Sequence, residues 1–342
     1  MSRPLQTEVA ARLGMSQSTV SLALRGSPRL PLGTRKRVEE AARSLGYQPD
    51  PMAAALARHR HDSSPHGYLG HMAMISSSPM RLRMVPSPNK DSFREFDFMT
   101  QQAARRGYQL ERVCIGTDSG EQKKWSRQLS ARGFMGLFLV EGETPAESWA
   151  IDWDHFCVVD IDGLAGSRLF PSVFSHHFQS MMEVMRQLKL RGYRRPGLWL
   201  DELYNQVEAW DSWRGAFAVK SPEYFGTALM QTDPEESLNV WLRKHKPDVV
   251  ITFGDGFQSA RWQEKGYHLP KRVGLCGLDV DPQRNPQVSG IYQDKQREVL
   301  AALQLMESLI RNRSRGCQPL VAGTCLMGEW QEGTTLRPAR ST

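Results

Sequence analysis

Beyond residue 66 the chain alternates between short apolar runs and helical patterns. This alternation limits the possible fold classes more than any other feature of the sequence. Most of the apolar runs are continuous, as in parallel strands that are buried on both faces. They lie at residues 68–75, 109–115, 136–140, 156–161, 196–200, 248–253 and 273–278. Helical patterns separate them, for example at residues 93–107, 180–192 and 235–245. The alternation predicts an α/β core of doubly wound parallel sheets.

Basic charge is concentrated in the first 60 residues. They hold ten Lys and Arg side chains against four Asp and Glu, so they carry +6 of the chain's formal charge of +7. A basic segment beside a nearly neutral body is the electrostatic footprint of a nucleic-acid-binding module, although such charge runs also occur as solvated faces. The chain has 342 residues, which is enough for two or three domains.

Three short helical patterns occupy the first 46 residues. The link between the first two, from Leu13 to Ser16, contains Gly14 and has the length of a helix-turn-helix turn. Gly46 ends the third pattern. Helices this short are not stable alone, so the three must share a small core. The apolar residues at helical spacing are Val9, Ala10, Leu13, Val20, Ala23, Leu24, Val38, Ala41, Ala42 and Leu45.

Packing of these residues leaves a polar face of the second helix pointing outward. A recognition helix presents such a face to the major groove, where Gln reads adenine and Ser or Thr hydroxyls suit phosphates or base edges. Any three-helix bundle also has a polar face, so that alternative stays open. The polar side chains are Gln17, Ser18, Thr19 and Ser21, and Ser16 precedes them as a predicted N-cap.

Two segments, residues 8–21 and 34–49, resemble the sequence signature of the LacI/GalR family of bacterial repressors. The resemblance implies a LacI-type helix-turn-helix domain at residues 1–47 and a hinge helix or linker at residues 48–62. In that family, two hinge helices of a dimer insert leucines into the minor groove and kink the operator, and Leu56 has that position here. The alternative for Leu56 is an ordinary residue of an alanine-rich linker.

The resemblance also implies which residues contact DNA. Leu22 departs from the family, in which many members carry an Arg that reads bases, and Asp50 replaces the usual Asn. Because of these departures, the resemblance does not determine which operator sequence is bound. DNA binding itself is still expected. The predicted DNA-binding residues are Ser16, Gln17, Ser18, Thr19, Ser21, Leu22, Arg25, Thr34 and Leu56.

The rest of the chain resembles the effector core of the same family, which is similar to periplasmic sugar-binding proteins. The matching segments are residues 174–176, 190–195, 246–250 and 277–279. The resemblance implies that residues 63–342 form an effector-binding and dimerisation core of two doubly wound parallel-sheet subdomains. The expected division is about 67–170 plus 293–328 for the first, and about 171–292 plus the C-terminal residues for the second.

Ligands of such folds bind in the cleft at the carboxyl ends of the strands. Asp279 follows a predicted strand and matches an Asp that accepts hydrogen bonds from hydroxyls in sugar-sensing members. Trp213 stands where the family has an Arg, and its indole could stack on a sugar face or face the core instead. Asp279, Asp255 and Gln293 could equally be loop or cap residues, and whether Arg214 reaches the cleft stays open. The predicted effector-binding residues are Trp213, Arg214, Asp255, Asp279 and Gln293.

No motif in the sequence indicates an enzyme, a cofactor or a metal site. The chain lacks a GxSxG elbow, a P-loop and a GxGxxG loop, and the neighbouring His176 and His177 have no ligand partners at metal-site spacing. The five cysteines form no CxxC pair, which predicts reduced thiols that are mostly buried. The N-terminus lacks the apolar run of a signal peptide, so a cytoplasmic protein is expected.

We therefore expect an allosteric transcription regulator, and we favour a repressor over an activator. It would act as a homodimer on palindromic operator DNA and respond to a sugar-like small molecule. Two alternatives stay open. One is a constitutive DNA-binding protein whose core serves only for dimerisation, and the other is an enzyme with an appended headpiece.

Overall fold

The computed structural model describes residues 6–24, 30–45, 47, 68–79, 94–140, 146–161, 169–200, 211–231, 236–253, 268–318 and 321–339. The chain divides into two compact units, residues 1–67 and residues 68–342. We call the first the headpiece and the second the core. The predicted hinge helix and linker at residues 48–62 lie outside the described residues.

The headpiece is built from three helices around one small apolar core. Val9, Val20 and Val38, one from each helix, are fully buried and form its centre. The predicted apolar faces are therefore confirmed. The helices are α1 (Gln6–Leu13), α2 (Gln17–Leu24) and α3 (Leu32–Ser44).

Gly14 makes the tight turn between α1 and α2. Its φ is +62°, a left-handed conformation that glycine adopts without steric cost because it has no Cβ. The N–H of Met15 donates to the carbonyl of Ala10 at 3.0 Å, which closes the end of α1. This turn fixes the direction in which α2 leaves the first helix.

The described part of the core contains twelve strands and six helices of eight residues or more. The strands are β1 (Gly70–Ser76), β2 (Tyr108–Cys114), β3 (Phe134–Leu139), β4 (Cys157–Ile161), β5 (Ser172–Ser175), β6 (Pro196–Trp199), β7 (Leu229–Met230), β8 (Val249–Thr252), β9 (Gly274–Gly277), β10 (Ser289–Tyr292), β11 (Gly323–Leu326) and β12 (Glu329–Gln331). The helices are α4 (Arg94–Arg105), α5 (Ser119–Ala131), α6 (His177–Leu190), α7 (Asp211–Phe225), α8 (Leu238–His245) and α9 (Lys295–Asn312).

The first sheet has the strand order β11-β5-β4-β3-β1-β2, and all its pairs are parallel. Helices α4 and α9 cover one face, where Met99 and Met306 pack with Phe138. Helix α5 lies on the other face, where Leu129 packs with Leu137. We call this sheet and its three helices the first lobe.

The second sheet has the order β12-β10-β9-β8-β6-β7, in which β12 alone runs antiparallel to its neighbour. Helices α6 and α7 pack on one face through residues such as Met185 and Phe217. Helix α8 covers the other face with Trp241, which packs on Val250 and Leu275. We call this sheet and its three helices the second lobe.

The chain passes between the lobes three times. The first crossover (residues 175–177) joins β5 to α6, the second (292–295) joins β10 to α9, and the third (326–329) joins β11 to β12. In proteins with parallel α/β sheets, ligands bind in a crevice at the carboxyl ends of the strands. The expected ligand cleft therefore lies at the carboxyl edges of the two sheets, beside these crossovers.

The seven predicted strands are present, with ends that differ from the prediction by at most two residues. The first lobe, however, runs to residue 175 rather than to about 170, because Ser172–Ser175 pairs with β4 and β11. The cysteines also differ from the prediction. Cys157 and Cys276 are buried, but Cys114 is half-buried and Cys317 and Cys325 are exposed.

Candidate nucleic-acid interface and ligand cleft

Helix α2 presents its polar face outward because its apolar face is fixed in the headpiece core. Val20 and Ala23 are fully buried, whereas Gln17 and Ser18 are exposed and Leu22 is half-buried. An exposed amide near the start of a helix is placed as in recognition helices that contact base edges. The side chain of Ser21, together with Arg25 and Leu56, lies outside the described residues.

Ser16 caps the start of α2, as predicted. Its Oγ accepts a hydrogen bond from the N–H of Thr19 at 3.1 Å, and it lies 2.8 Å from both Ser18 Oγ and Thr19 Oγ1. The three hydroxyls therefore form one cluster at the positive end of the helix dipole, where anionic groups are stabilised. A phosphate oxygen is the anion that such a cluster would meet on DNA.

Helix α3 adds positive charge next to a helix start that has no side-chain cap. Pro31 occupies its N-cap position, and the half-buried Thr34 donates its backbone N–H to the Pro31 carbonyl at 3.0 Å. Lys36 and Arg37 are exposed, whereas the neighbouring Val38 is buried. Two adjacent exposed cations suit contacts with phosphates, which position a protein on DNA without reading its sequence.

In the first lobe, buried polar side chains gather at the carboxyl edge of the sheet. Ser76 ends β1 and is followed by Ser77 and Ser78, while Asp160 and Ser175 lie at the ends of β4 and β5; all five are buried. Sequence reasoning missed this group. The available signals were the three serines directly after the first predicted strand and Asp160 near the end of the fourth, whereas Ser175 lies on a strand that was not predicted.

In the second lobe, Trp213 lies in the hydrophobic interior, between the aromatic rings of two other residues. Its side chain is 0% exposed, and its ring centroid is 4.5 Å from His177 and 5.3 Å from Phe253. The indole therefore supports rings nearer the carboxyl edge and presents no surface of its own. The neighbouring Arg214 is half-buried and forms an ion pair with Asp211 at 2.9 Å.

Asp279 and Gln293 come close together at the carboxyl edge of the second sheet. Gln293 is buried and donates from Nε2 to the carbonyl of Leu278 at 3.1 Å, directly before the half-buried Asp279. Burial, followed by the carboxylates of Asp294 and Asp281, raises the pKa of Tyr292 beside them. The last predicted effector residue, Asp255, lies outside the described residues.

The described residues contain no cluster of three or more His, Cys, Asp and Glu side chains arranged to hold a metal ion. Likewise, no helix in the described part of the chain is long and apolar enough to cross a membrane.

Residues 7–50 match the family model described as "Bacterial regulatory proteins, lacI family". The headpiece is a LacI-family helix-turn-helix domain. The transcriptional repressor PurR of Klebsiella pneumoniae strain 342 is 25% identical over 334 residues, which cover 92% of each chain. The regulator AglR of Rhizobium meliloti is 50% identical over 50 residues, 15% of this chain and 14% of AglR.

Solved LacI-family structures have the same fold as the whole chain. A LacI-family regulator from Silicibacter pomeroyi has a TM-score of 0.56 at 18% identity and covers 98% of this chain and 100% of its own. The Lac repressor bound to ONPG has a TM-score of 0.57 at 16% identity, over 98% and 100% of the two chains. The predicted fold class, a helix-turn-helix headpiece with a two-sheet α/β core, is confirmed.

Proposed function

We propose that this chain regulates transcription by binding operator DNA through α2, under the control of a small molecule in the core. The observation that carries the proposal is the exposed Gln17–Ser18 face of α2, held in place by the buried Val20 and Ala23. The exposed Lys36 and the hydroxyl cluster at Ser16 support phosphate contacts beside it. Contacts with phosphates contribute binding affinity that decreases as the salt concentration rises. Contacts with bases determine which DNA sequence is preferred.

The proposed regulator is a homodimeric repressor that acts in the cytoplasm on palindromic operators. A two-fold dimer presents two α2 helices to two half-sites, which multiplies both affinity and specificity. The family resemblance supports Leu56 as the wedge at the operator centre. An apolar wedge unstacks one base step and bends the duplex, so its loss should affect specific binding more than non-specific binding.

The proposed effector is a hydroxyl-rich, sugar-like molecule in the cleft. Carboxylates such as Asp160 and Asp279 accept hydrogen bonds from hydroxyls, and the serines at the end of β1 both donate and accept. Among solved structures with this fold, the Lac repressor is bound to ONPG and the transcriptional regulator CelR is in complex with cellobiose. Since Trp213 is buried, its proposed role is to position His177 and Phe253 rather than to touch the ligand.

Selection of genomic fragments by the full-length protein at near-physiological salt tests DNA recognition. We expect an enriched palindrome whose affinity drops in Gln17→Ala. Gln128→Ala is the matched control, because Gln128 is also exposed on a helix but belongs to the core. Leu56→Ala should weaken the enriched site more than random DNA, while Leu190→Ala, an exposed leucine of α6, should change neither. Equal loss on both kinds of DNA would exclude the wedge.

A thermal-shift screen of mono- and disaccharides tests the cleft. A stabilising sugar should lose its effect in Asp279→Asn and keep it in Asp97→Asn, since Asp97 is exposed on α4. DNA binding without any stabilising ligand would favour the constitutive alternative, in which the core serves only for dimerisation. Turnover of a sugar that binds would instead favour an enzyme with an appended headpiece.

A further inference from the structure

An ion pair joins the two lobes where the second and third crossovers meet. Arg297, on α9 of the first lobe, places Nη1 2.7 Å from Oε1 of Glu329, which begins β12 of the second lobe. Its Nε also lies 3.1 Å from Oδ2 of Asp294 in the second crossover. The pKa of Arg297 is raised, mainly because of its hydrogen bond with Glu329.

Asp294 holds this arginine in place from the start of the helix. Its Oδ1 accepts hydrogen bonds from the N–H groups of Gln296 at 3.0 Å and of Arg297 at 3.1 Å, so it is the N-cap of α9. A cation in the first turn of a helix is unfavourable with respect to the helix dipole. The Asp294 carboxylate offsets this cost within the helix, and Glu329 adds a second carboxylate partner from the other lobe.

The third crossover is packed closely against its neighbours. A Cβ on Gly328 would overlap Cγ2 of Ile291 and lie 3.2 Å from Oγ of Ser180, so only glycine permits this approach. On the other side, the N–H of His176 donates to the carbonyl of Leu326 at 2.8 Å. A change of angle between the lobes must therefore move these backbone segments together.

A cavity lies between the three crossovers. Its volume is about 210 Å³, and its lining includes Ser175 of the first crossover, Gln293 of the second and Leu326 of the third, together with the ion-paired side chains. Tightly packed interiors resist continuous deformation, so the crossovers are least hindered by neighbouring protein on the side that lines this cavity.

We propose that the Arg297–Glu329 ion pair is a salt-sensitive clasp that holds the lobes at one angle. Arg297 and Glu329 are 62% and 58% exposed, so dissolved ions screen their attraction. Exposed pairs of this kind shift an equilibrium by roughly two- to fivefold. The clasp thus biases the angle between the lobes without locking it, and ions or a ligand can shift the balance. The proposal concerns the core alone and does not depend on DNA binding.

Hydrogen–deuterium exchange on the full-length protein tests the clasp without DNA or ligand. In Arg297→Gln and Glu329→Gln, exchange in peptides covering residues 289–297 and 323–331 should rise about two- to fivefold. Glu329→Gln leaves the Asp294 cap intact, so a rise in that variant cannot come from a damaged helix start. The matched control is Arg186→Gln, which breaks the 2.6 Å pair with Glu183 inside the second lobe.

Coupling between the two charges decides the interpretation. The double variant should exchange no faster than either single variant, and the reversed pair Arg297→Glu with Glu329→Arg should regain protection. Wild-type protein in about 0.5 M NaCl should approach the Arg297→Gln behaviour, because the Debye length is then only a few ångströms. Additive single effects, or unchanged exchange in Arg297→Gln and Glu329→Gln, would overturn the proposal.

Discussion

Arg191 and Glu332 form an ion pair that ties the end of α6 to the residue following β12. Nη2 of Arg191 lies 2.5 Å from Oε2 of Glu332, and the arginine side chain is only 3% exposed. The same carboxylate oxygen accepts from Nε1 of Trp330 at 2.9 Å, and the guanidinium lies 5.2 Å from the centroid of that indole ring. The C-terminal part of the second lobe is thus fastened through one nearly buried cation.

Glu332→Gln should destabilise the core, because it removes the carboxylate that is hydrogen-bonded to the buried Arg191 guanidinium. Glu332 itself is largely exposed, so we expect a loss of about 2 kcal/mol rather than the larger cost of a fully buried pair. Urea unfolding measures it. Glu223→Gln is the control, since its 2.7 Å pair with Lys220 lies on the surface of α7. Equal effects of the two substitutions would contradict a special role for Arg191.

The cost of Glu332→Gln should also depend on pH. Burial alone would raise the pKa of Glu332, but hydrogen bonds from Arg191 and Trp330 outweigh it and hold the pKa below its ordinary value of 4.5. A carboxyl with a lowered folded-state pKa contributes stability above its unfolded pKa and loses it as pH falls through the folded value. The difference between wild type and Glu332→Gln should therefore be complete at neutral pH and shrink below about pH 4.5. A difference that stays constant to pH 3 would exclude this linkage.

The sequence predicted the parts of the fold that local pattern determines. Val20 and Val38 lie at helical spacing in short segments, and their burial needs no distant information. Continuous apolar runs such as residues 249–252 become central strands, because only a sheet buried on both faces accommodates them. The predicted division at about residue 170 leaves Ser172–Ser175 in the second lobe, because nothing in its local sequence indicates that it pairs with the distant β11.

The parts that depend on distant partners could not be predicted. Arg297 and Glu329 are 32 positions apart, and nothing in either local sequence indicates their contact. The sequence pattern predicts Trp213 as a ligand-binding residue, although an indole suits both a sugar face and a hydrophobic interior. Its burial follows from His177 and Phe253, which lie 36 and 40 positions away and meet it only in the folded lobe.

Gly290→Ala should disrupt the second sheet. A Cβ at this position would overlap the carbonyl of Gly277 on the neighbouring strand, and backbone cannot move aside as a side chain can. We expect a loss of about 3 kcal/mol in urea unfolding, at the upper end of overpacking effects. Gly215→Ala is the control, because nothing lies within 4 Å of a Cβ there. Since Gly215 is inside α7, alanine should leave stability unchanged or raise it by up to about 1 kcal/mol.

Ser16→Ala should loosen the start of α2, and Ser16→Asp separates that effect from DNA contact. Alanine removes the acceptor for the N–H of Thr19, which costs about 1 kcal/mol and should speed hydrogen exchange in residues 17–24. Aspartate restores an acceptor and protection but adds a negative charge facing the phosphates. DNA binding should therefore fall in both variants, and helix protection only in alanine. Normal DNA binding by Ser16→Asp would remove this cluster from the interface.

Thiol labelling should divide the cysteines by burial. Cys317 and Cys325 are exposed and should react with Ellman's reagent in the native protein at pH 8. Burial raises the pKa of the Cys157 thiol to about 11, and it raises that of Cys276 still further, so neither forms much of the reactive thiolate at this pH. Both should react only when the core unfolds in denaturant. The half-buried Cys114 lies 3.8 Å from the carbonyl of Ser77 and should react at an intermediate rate. Rapid native labelling of Cys276 would mean that the second sheet opens readily, since that thiol lies at its centre between β8 and β10.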